Sequence, residues 1–359
     1  MSDKKSFFEY LGIADIERIH SQVFAWLFSN DCTALNSRQR NQLIKEIFKL
    51  ENIGNILNTQ TERGKIDILI QTDKEIIVIE NKIKSSQHSD QLHTYKNYCE
   101  EEFRGYTKHF YFLTLIGEKT NHNDNYWNRI TYTDVYKALK LVELNNNDTH
   151  SVIITEYVNL LERLTSVLED FTKNVKDYDM VFQDGGKTKG EKINVSYENP
   201  NKQFIADNQL ETILQKTYLA SIVEKIGTGR ITETRGDALI DFPLTEHIEY
   251  QGNKYSTMLE IQGDNLKFAF MIMDNYPQSD KKWIADIIPM MEKLLEIENK
   301  AGFVKLNKPK SKAYVSISKK LKTPYWRMEM DKLIEFIKTE IANGQNLTDK
   351  LLELIALEQ

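Results

Sequence analysis

The stretch of sequence that decides the fold is IDILIQTDKEIIVIENKI, residues 66–83. Its two halves are rich in β-branched residues, and the polar pair Asp73-Lys74 separates them. This pattern predicts a β-hairpin with strands over residues 66–71 and 75–83. A two-residue turn at Asp73-Lys74 would place Asp67 directly opposite Glu80.

Charged residues cluster at one end of this hairpin. Opposed residues of an antiparallel ladder carry their side chains on one face, about 5 Å apart. Lys82 lies two residues beyond Glu80 and therefore shares that face. Carboxylate oxygens suit Mg²⁺, and a neighbouring lysine can orient a water molecule for attack on a phosphodiester. The alternative is a plain ion pair of Lys82 on a solvated sheet edge, because Asp, Glu and Lys are common residues.

The segments around the hairpin predict an α/β unit. Apolar residues at helical spacing predict a helix over residues 16–28, for which Asp15 is the expected N-cap. The continuous apolar run HFYFLTLI, residues 109–116, is typical of a buried strand. The other predicted elements are helices over 37–50, 90–102 and 155–171, a strand over 129–132, and a helix from a Thr133 cap to Leu141.

The composition changes after the long helix. Residues 172–201 are polar, contain Gly185-Gly186 and end in Asn199-Pro200. We therefore expect a first domain over residues 1–175, a linker over 176–201, and a C-terminal α+β domain over 202–359 that recognises substrate, dimerises or binds a partner protein. Its predicted elements are helices over 202–225, 282–300 and 331–342, and strands over 238–242, 247–250, 255–262, 266–273, 313–318 and 325–328.

Composition bounds the class of protein. The chain has 359 residues, of which 40% are hydrophobic, enough to bury a core. Its formal net charge of −6 counts mildly against nucleic-acid binding, although a local basic patch would be sufficient. Cys32 and Cys99 have no partners at zinc-ligand spacing. We find no signal peptide and no apolar run long enough for a membrane span, and expect a soluble, cytoplasmic protein.

Four short motifs carry a family resemblance. They are Glu17-x-x-His20-Ser21, Gly64-x-x-Asp67, Glu80-Asn81-Lys82 and Gln91-x-x-x-Tyr95. In this order the set resembles the PD-(D/E)XK nuclease superfamily, particularly its RecB-type branch. The opening motif, with Trp26-Leu27 behind it, is similar to that of an uncharacterised bacterial PD-(D/E)XK subfamily. The resemblance covers about the first half of the chain, and Asn81 stands where apolar residues are more usual.

The resemblance implies a role for each residue that matches a motif. Asp67 and Glu80 would bind a metal ion, with the Asn81 carbonyl as a third ligand, and Lys82 would position the attacking water. Glu17 would reach the site as a further ligand or to orient water. It also implies a restriction-endonuclease-like fold, a mixed sheet flanked by helices. Two further residues, Gln91 and Tyr95, would contact substrate phosphate or brace the site.

His20 has two readings from its position on an otherwise apolar helix. It is either a substrate-binding side chain or a buried histidine of the core.

The function predicted from the sequence is Mg²⁺-dependent hydrolysis of DNA, with Mn²⁺ as a substitute ion. By analogy with the superfamily alone, the expected setting is bacterial defence against foreign DNA. One alternative is a catalytically inactive protein of the same fold that binds nucleic acid or a protein partner. Another is a nuclease that cleaves RNA.

Overall fold

A computed structural model describes residues 5–51, 53–84, 91–117, 125–144, 148–183, 196–234, 236–250, 253–272, 282–298, 302–307 and 314–358. The chain forms two compact units. Unit 1 comprises Met1–Lys173 and Lys189–Leu214, and unit 2 comprises Asn174–Thr188 and Gln215–Gln359. Among the described residues, no helix is long and apolar enough to cross a membrane.

Unit 1 is built on a five-stranded mixed sheet in the order β1-β2-β3-β4-β5. The first three strands are antiparallel, whereas β4 and β5 run parallel to β3. The strands are β1 (Ile56–Arg63), β2 (Ile66–Thr72), β3 (Glu75–Lys82), β4 (Thr107–Thr114) and β5 (Asn128–Thr131). The helices are α1 (Phe7–Tyr10), α2 (Glu17–Phe28), α3 (Ser37–Phe48), α4 (Gln91–Glu102), α5 (Tyr132–Lys140), α6 (Thr149–Lys173) and α8 (Pro200–Asp207).

The β2–β3 hairpin forms as predicted. Ile68 pairs with Ile79 and Leu69 with Val78, which is the register expected from a two-residue turn. The Thr72 hydroxyl accepts hydrogen bonds from the backbone N–H groups of Lys74 and Glu75, and these bonds hold the turn. The register therefore directs Asp67, Glu80 and Lys82 to one face of the sheet.

Helices cover both faces of this hairpin, so its strands are apolar on both sides. On the face with Glu80, an apolar cluster joins Val78 to Leu92 and Cys99 of α4. On the other face, α2 packs against the first three strands. The end of β3 that carries Glu80 and Lys82 thus lies at the edge of an apolar core, with α4 on one side and α2 on the other.

Several predicted boundaries are wrong. The strand β1 was not predicted, and α2 is capped at Ile16 without a side-chain hydrogen bond, so Asp15 is not its N-cap. Thr131 caps α5 in place of the predicted Thr133, because its hydroxyl accepts from Asp134 N. The long helix α6 begins at Thr149, six residues before its predicted start at residue 155.

Unit 2 contains a six-stranded antiparallel sheet in the order β10-β11-β9-β8-β7-β6. Its apolar face packs against two helices, burying Phe268, Phe270, Met290, Met291 and Leu351 among others. The strands are β6 (Arg230–Thr234), β7 (Asp237–Tyr250), β8 (Asn253–Gln262), β9 (Asn265–Ile272), β10 (Lys305–Asn307) and β11 (Tyr314–Lys320). The helices are α7 (Asp179–Gln183), α9 (Glu211–Ile226), α10 (Lys282–Glu298) and α11 (Met330–Glu358).

Unit 2 differs from its prediction in several places, and its strands β6 and β10 were not predicted. The helix predicted over 202–225 is interrupted after Asp207, where Gln209 has a positive φ of 51°, and resumes as α9. The strands predicted over 238–242 and 247–250 are one long bulged strand, β7. The strand predicted at 325–328 is a short 3₁₀ turn, and the last helix runs to Glu358.

The domain boundaries also differ from the prediction. Residues 174–183 belong to unit 2, where the Phe182 ring stacks on Trp326 with ring centroids 4.7 Å apart. Helix α8 belongs to unit 1, where Asn201 donates to Asp170 and the guanidinium of Arg163 lies over the Phe204 ring. The predicted linker is therefore divided between the units, and its residues 184–195, with Gly185-Gly186, lie outside the described part of the chain.

Candidate active site

Three charged side chains meet at the end of the hairpin, on one face of the sheet. Glu80 is completely buried, and its Oε1 lies 2.6 Å from Nζ of Lys82. Asp67 is only half-buried and opens onto a cavity of about 570 Å³. Its Oδ2 accepts a hydrogen bond of 2.8 Å from the backbone N–H of Asn81. The predicted convergence of Asp67, Glu80 and Lys82 is thus present.

This cluster contains two acidic side chains, Asp67 and Glu80, and one basic side chain, Lys82. Burial raises the pKa of Glu80 to about 8, and the adjacent charge of Asp67 adds to the rise. Burial likewise raises the pKa of Asp67. Burial alone would lower the pKa of Lys82, but the charges of Glu80 and Asp67 outweigh it and raise that pKa. Lys82 is therefore an ammonium group that donates protons in hydrogen bonds.

Glu17 reaches the same site from the first turn of α2. Its Oε1 accepts hydrogen bonds from the backbone N–H groups of Ile83, at 2.8 Å, and Lys84, at 3.0 Å. Its charge acts on both Asp67 and Lys82. Glu17 also lines the cavity that contains Asp67, which places it beside the cluster and anchored to the end of β3.

Asn81 has a different position from its neighbours, because its side chain points to the opposite face of the sheet. Its Nδ2 donates to the Glu17 carbonyl and to Oγ of Ser21, while its Oδ1 accepts from the hydroxyl of Tyr132 at 2.6 Å. The polar residue in the middle of the Glu-x-Lys motif therefore joins β3 to α2 and α5. Nothing in the sequence indicated Tyr132 as its partner.

Gln91 and Tyr95 share one face of α4, as their spacing predicted. Gln91 Nε2 donates to the Tyr95 hydroxyl at 2.6 Å. Burial raises the pKa of Tyr95, and the charges of Glu80 and Asp67 act in the same direction. The pair thus lies next to the acidic cluster, with the buried Tyr95 ring in the apolar core below it.

His20 lies inside the core of unit 1, which agrees with the second of its two predicted roles, a buried histidine. Its ring is buried, with Nε2 2.9 Å from the Ala14 carbonyl and Nδ1 3.1 Å from the Tyr157 hydroxyl. Burial lowers its pKa to about 4, although the Ala14 carbonyl and the charges of Asp15 and Glu17 oppose the shift. The predicted substrate contact is therefore replaced by a structural role, because both ring nitrogens are used inside the core.

The carboxylates of Asp67 and Glu80 are the side chains at this site that could bind a divalent cation. Among the described residues, no group of three or more His, Cys, Asp or Glu side chains is placed to hold a metal. The cluster offers two carboxyl groups: Glu80 is engaged by the Lys82 ammonium group, whose Nζ lies 2.6 Å from Oε1, and Asp67 by the backbone N–H of Asn81. Carboxylate oxygens fit Mg²⁺, which keeps several water ligands and needs few protein ligands.

Further charged residues around the cavity were not expected from the sequence. Lys84 forms an ion pair with Asp15, and Arg18 Nε lies 3.2 Å from Glu62 Oε1. These side chains line the cavity with Asp67 and Glu17. Strand alternation from Lys82 could have indicated Lys84, whereas Glu62 lies on β1, which the sequence did not reveal.

The mixed five-stranded sheet flanked by helices, with Asp67 and Glu80-x-Lys82 at one end of a hairpin, is a restriction-endonuclease-like fold. Residues 5–159 match the sequence model of a family described as the PD-(D/E)XK nuclease superfamily. This N-terminal part of the chain is therefore similar to that superfamily, whose members are generally nucleases. The match does not identify the RecB-type branch. Searches of the curated proteins and of the solved structures gave no significant match.

Proposed function

We propose that this protein is a metal-dependent nuclease that hydrolyses phosphodiester bonds in DNA, in the setting of bacterial defence against foreign DNA. The observation that carries the proposal is the environment of Glu80. Its carboxyl group is completely buried next to Asp67, and the one ammonium group at the cluster, that of Lys82, lies 2.6 Å from its Oε1. A buried and a half-buried acidic group beside one ammonium group destabilise the folded chain unless a further cation compensates their charge.

Each residue of the cluster has a proposed role. Asp67 and Glu80 would hold Mg²⁺, or Mn²⁺ in its place, with the Asn81 carbonyl as a further ligand. When bound, such an ion supplies Lewis-acid stabilisation of the charge that develops on the phosphate. Lys82, as an ammonium group, would donate a hydrogen bond that orients the attacking water.

Residues of the flanking helices would support this centre. Glu17 accepts from two backbone N–H groups after β3, so it would fix the strand end and orient water in the cavity. Gln91 and Tyr95 would contact a phosphate oxygen or brace the acids from α4. Unit 2 would recognise substrate, dimerise or bind a partner, and the cytoplasm is the expected compartment.

The test is cleavage by the purified full chain of plasmid DNA, linear DNA and RNA, with Mg²⁺, Mn²⁺ or EDTA. Glu80→Gln keeps the shape of the side chain and removes its charge, and should abolish cleavage. Glu75→Gln is the matched control, because Glu75 lies on the same strand outside the cluster. Lys82→Met should also abolish cleavage, and Lys74→Met, in the exposed turn, should not.

The outcomes decide between the candidate functions. Metal-dependent cleavage that Glu80→Gln retains would place the active centre elsewhere. A wild-type chain that cleaves none of these substrates would contradict the proposal and favour a binding protein of the same fold. Cleavage restricted to RNA would replace the proposed substrate.

A further inference from the structure

Two cavities adjoin on the surface of unit 1 and share one side chain. The first, which we call the cleft, has a volume of about 570 Å³ and contains Asp67, Glu17, Arg18 and Lys84. The second, which we call the aromatic groove, has a volume of about 860 Å³ and lies along α1, α2 and the start of α6. Gln22 lines both, so the groove continues from the candidate active site.

The cleft carries two cations, Arg18 and Lys84, beside the carboxylates of Asp15, Glu17, Glu62 and Asp67. Arg18 is paired with Glu62, but the two side chains remain 69% and 59% exposed. Exposed ion pairs of this kind contribute little to stability, so a phosphate can take the place of the carboxylate. Lys84, paired with Asp15, lies on the strand end next to the acidic cluster. Arg18 and Lys84 therefore suit the backbone of a nucleic acid close to the proposed scissile bond.

The aromatic groove offers ring surfaces to the solvent. Phe7 and Tyr10 of α1 are 57% and 75% exposed, and the ring of Trp26 also lines the groove. Lys5 also lines the groove, and its Nζ lies 3.3 Å from Oδ2 of Asp207. The one carboxylate among its lining residues, Glu156, is engaged, because its Oε2 accepts a hydrogen bond of 2.7 Å from the backbone N–H of Phe7.

We propose that the cleft and the aromatic groove together bind a single-stranded segment of nucleic acid, with phosphates on Arg18 and Lys84 and bases stacked on Phe7 and Tyr10. This inference rests on the proposed function, because Asp67 lies in the cleft. Unpaired bases expose their faces to aromatic side chains, whereas bases inside a duplex cover one another. The substrate class is thus a single strand, or a duplex with an unpaired flank.

Binding without turnover provides the test. Fluorescence anisotropy of the full chain in EDTA is measured with labelled single-stranded DNA, single-stranded RNA and a blunt-ended two-strand DNA duplex. The double variant Phe7→Ala/Tyr10→Ala should weaken single-strand binding about 5- to 100-fold and leave binding of the duplex unchanged. Leu57→Ala is the matched control, since Leu57 is an exposed apolar side chain on β1 of the same unit, outside the residues that line either cavity.

Salt dependence tests the phosphate contacts separately. Arg18→Gln should reduce the slope of log affinity against log salt by about 0.7, the value for one phosphate contact on a single strand. Arg38→Gln, an exposed arginine on α3 outside both cavities, should leave the slope unchanged. Equal slopes for Arg18→Gln and the wild type would remove Arg18 from the site. The DNA and RNA strands show which nucleic acid the groove prefers.

Failure of this inference differs from failure of the proposed function. If the wild type binds single strands through Phe7 and Tyr10 and cleaves no substrate, the proposed binding site is supported and the proposed nuclease activity is contradicted. The inference is overturned if the double variant binds single strands as the wild type does, or if the wild type binds none. It is also overturned if the double variant changes only the oligomeric state in sedimentation, because the groove would then be a protein interface.

Discussion

The buried histidine makes the stability of unit 1 depend on pH. His20 is hydrogen-bonded inside the core, and burial lowers its pKa from 6.5 to about 4. The folded chain therefore keeps a neutral ring between these values, while the unfolded chain takes up a proton. The free energy of unfolding should fall as the pH drops from 6.5 towards 4. Above pH 6.5 the stabilisation that the neutral His20 ring provides should be fully present.

The size of the effect follows from the pKa shift. At about 1.4 kcal/mol per pKa unit, a shift from 6.5 to about 4 costs about 3 kcal/mol by pH 4. In His20→Gln the side chain does not titrate. At pH 7.5 this variant should be less stable than the wild type by about 1–2 kcal/mol, because it loses ring packing on Tyr132 and Tyr157. Near pH 4.5 the order of stability should reverse.

Urea unfolding of the full chain at pH 7.5 and 4.5 measures this reversal. Pulsed hydrogen exchange on peptides from α2 reports unfolding of unit 1 separately from that of unit 2. His93→Gln makes the same change at an exposed position of α4 and should leave the pH dependence unaltered. The reasoning fails if the difference between His20→Gln and the wild type is equal at both pH values, or if NMR shows that the His20 ring titrates near 6.5.

Three further predictions follow from buried or crowded side chains. In EDTA, Glu80→Gln should raise the melting temperature of unit 1, because it removes the repulsion between Glu80 and Asp67, which destabilises the fold by about 1 kcal/mol or more. A lower melting temperature would contradict this. Gly64→Ala should destabilise unit 1 by about 1–3 kcal/mol, since φ is +60° and its Cβ would lie 2.6 Å from the Tyr98 ring. Combination with Tyr98→Ala should recover part of that loss, and strict additivity would be evidence against the clash. Cys32 and Cys99 are fully buried and should react with a thiol reagent only after unfolding, as mass spectrometry would show.

The sequence predicted the β2–β3 hairpin because the residues that determine a hairpin are neighbours in the chain. Alternating apolar residues and a two-residue turn are sufficient to set the register, and the register places Asp67 and Glu80 on one face. Strand β1 gave no such signal. Its residues ILNTQTER are mostly polar and none of them is buried, as suits the edge of a sheet, and only pairing with β2 makes them a strand.

The supporting contacts of the site could not be predicted, because they join residues far apart in the chain. Glu17 binds backbone N–H groups 66 and 67 residues away, and the partner of Asn81, Tyr132, is 51 residues further along. The buried position of His20 depends in the same way on Tyr157. The polar segment 172–201 resembled a linker because its few apolar side chains, such as Phe182, find their partners only in unit 2.

The interleaved course of the chain has a consequence for biosynthesis and for cloning. Helix α8 belongs to unit 1 but follows residues 174–183 of unit 2 in the chain. During synthesis it is therefore made only after those residues of unit 2. A fragment ending at residue 175 would lack Phe204 and Ile205, which are buried in the intact chain, and should expose the apolar surface that they cover. A soluble nuclease-like fragment should therefore extend at least to Leu214.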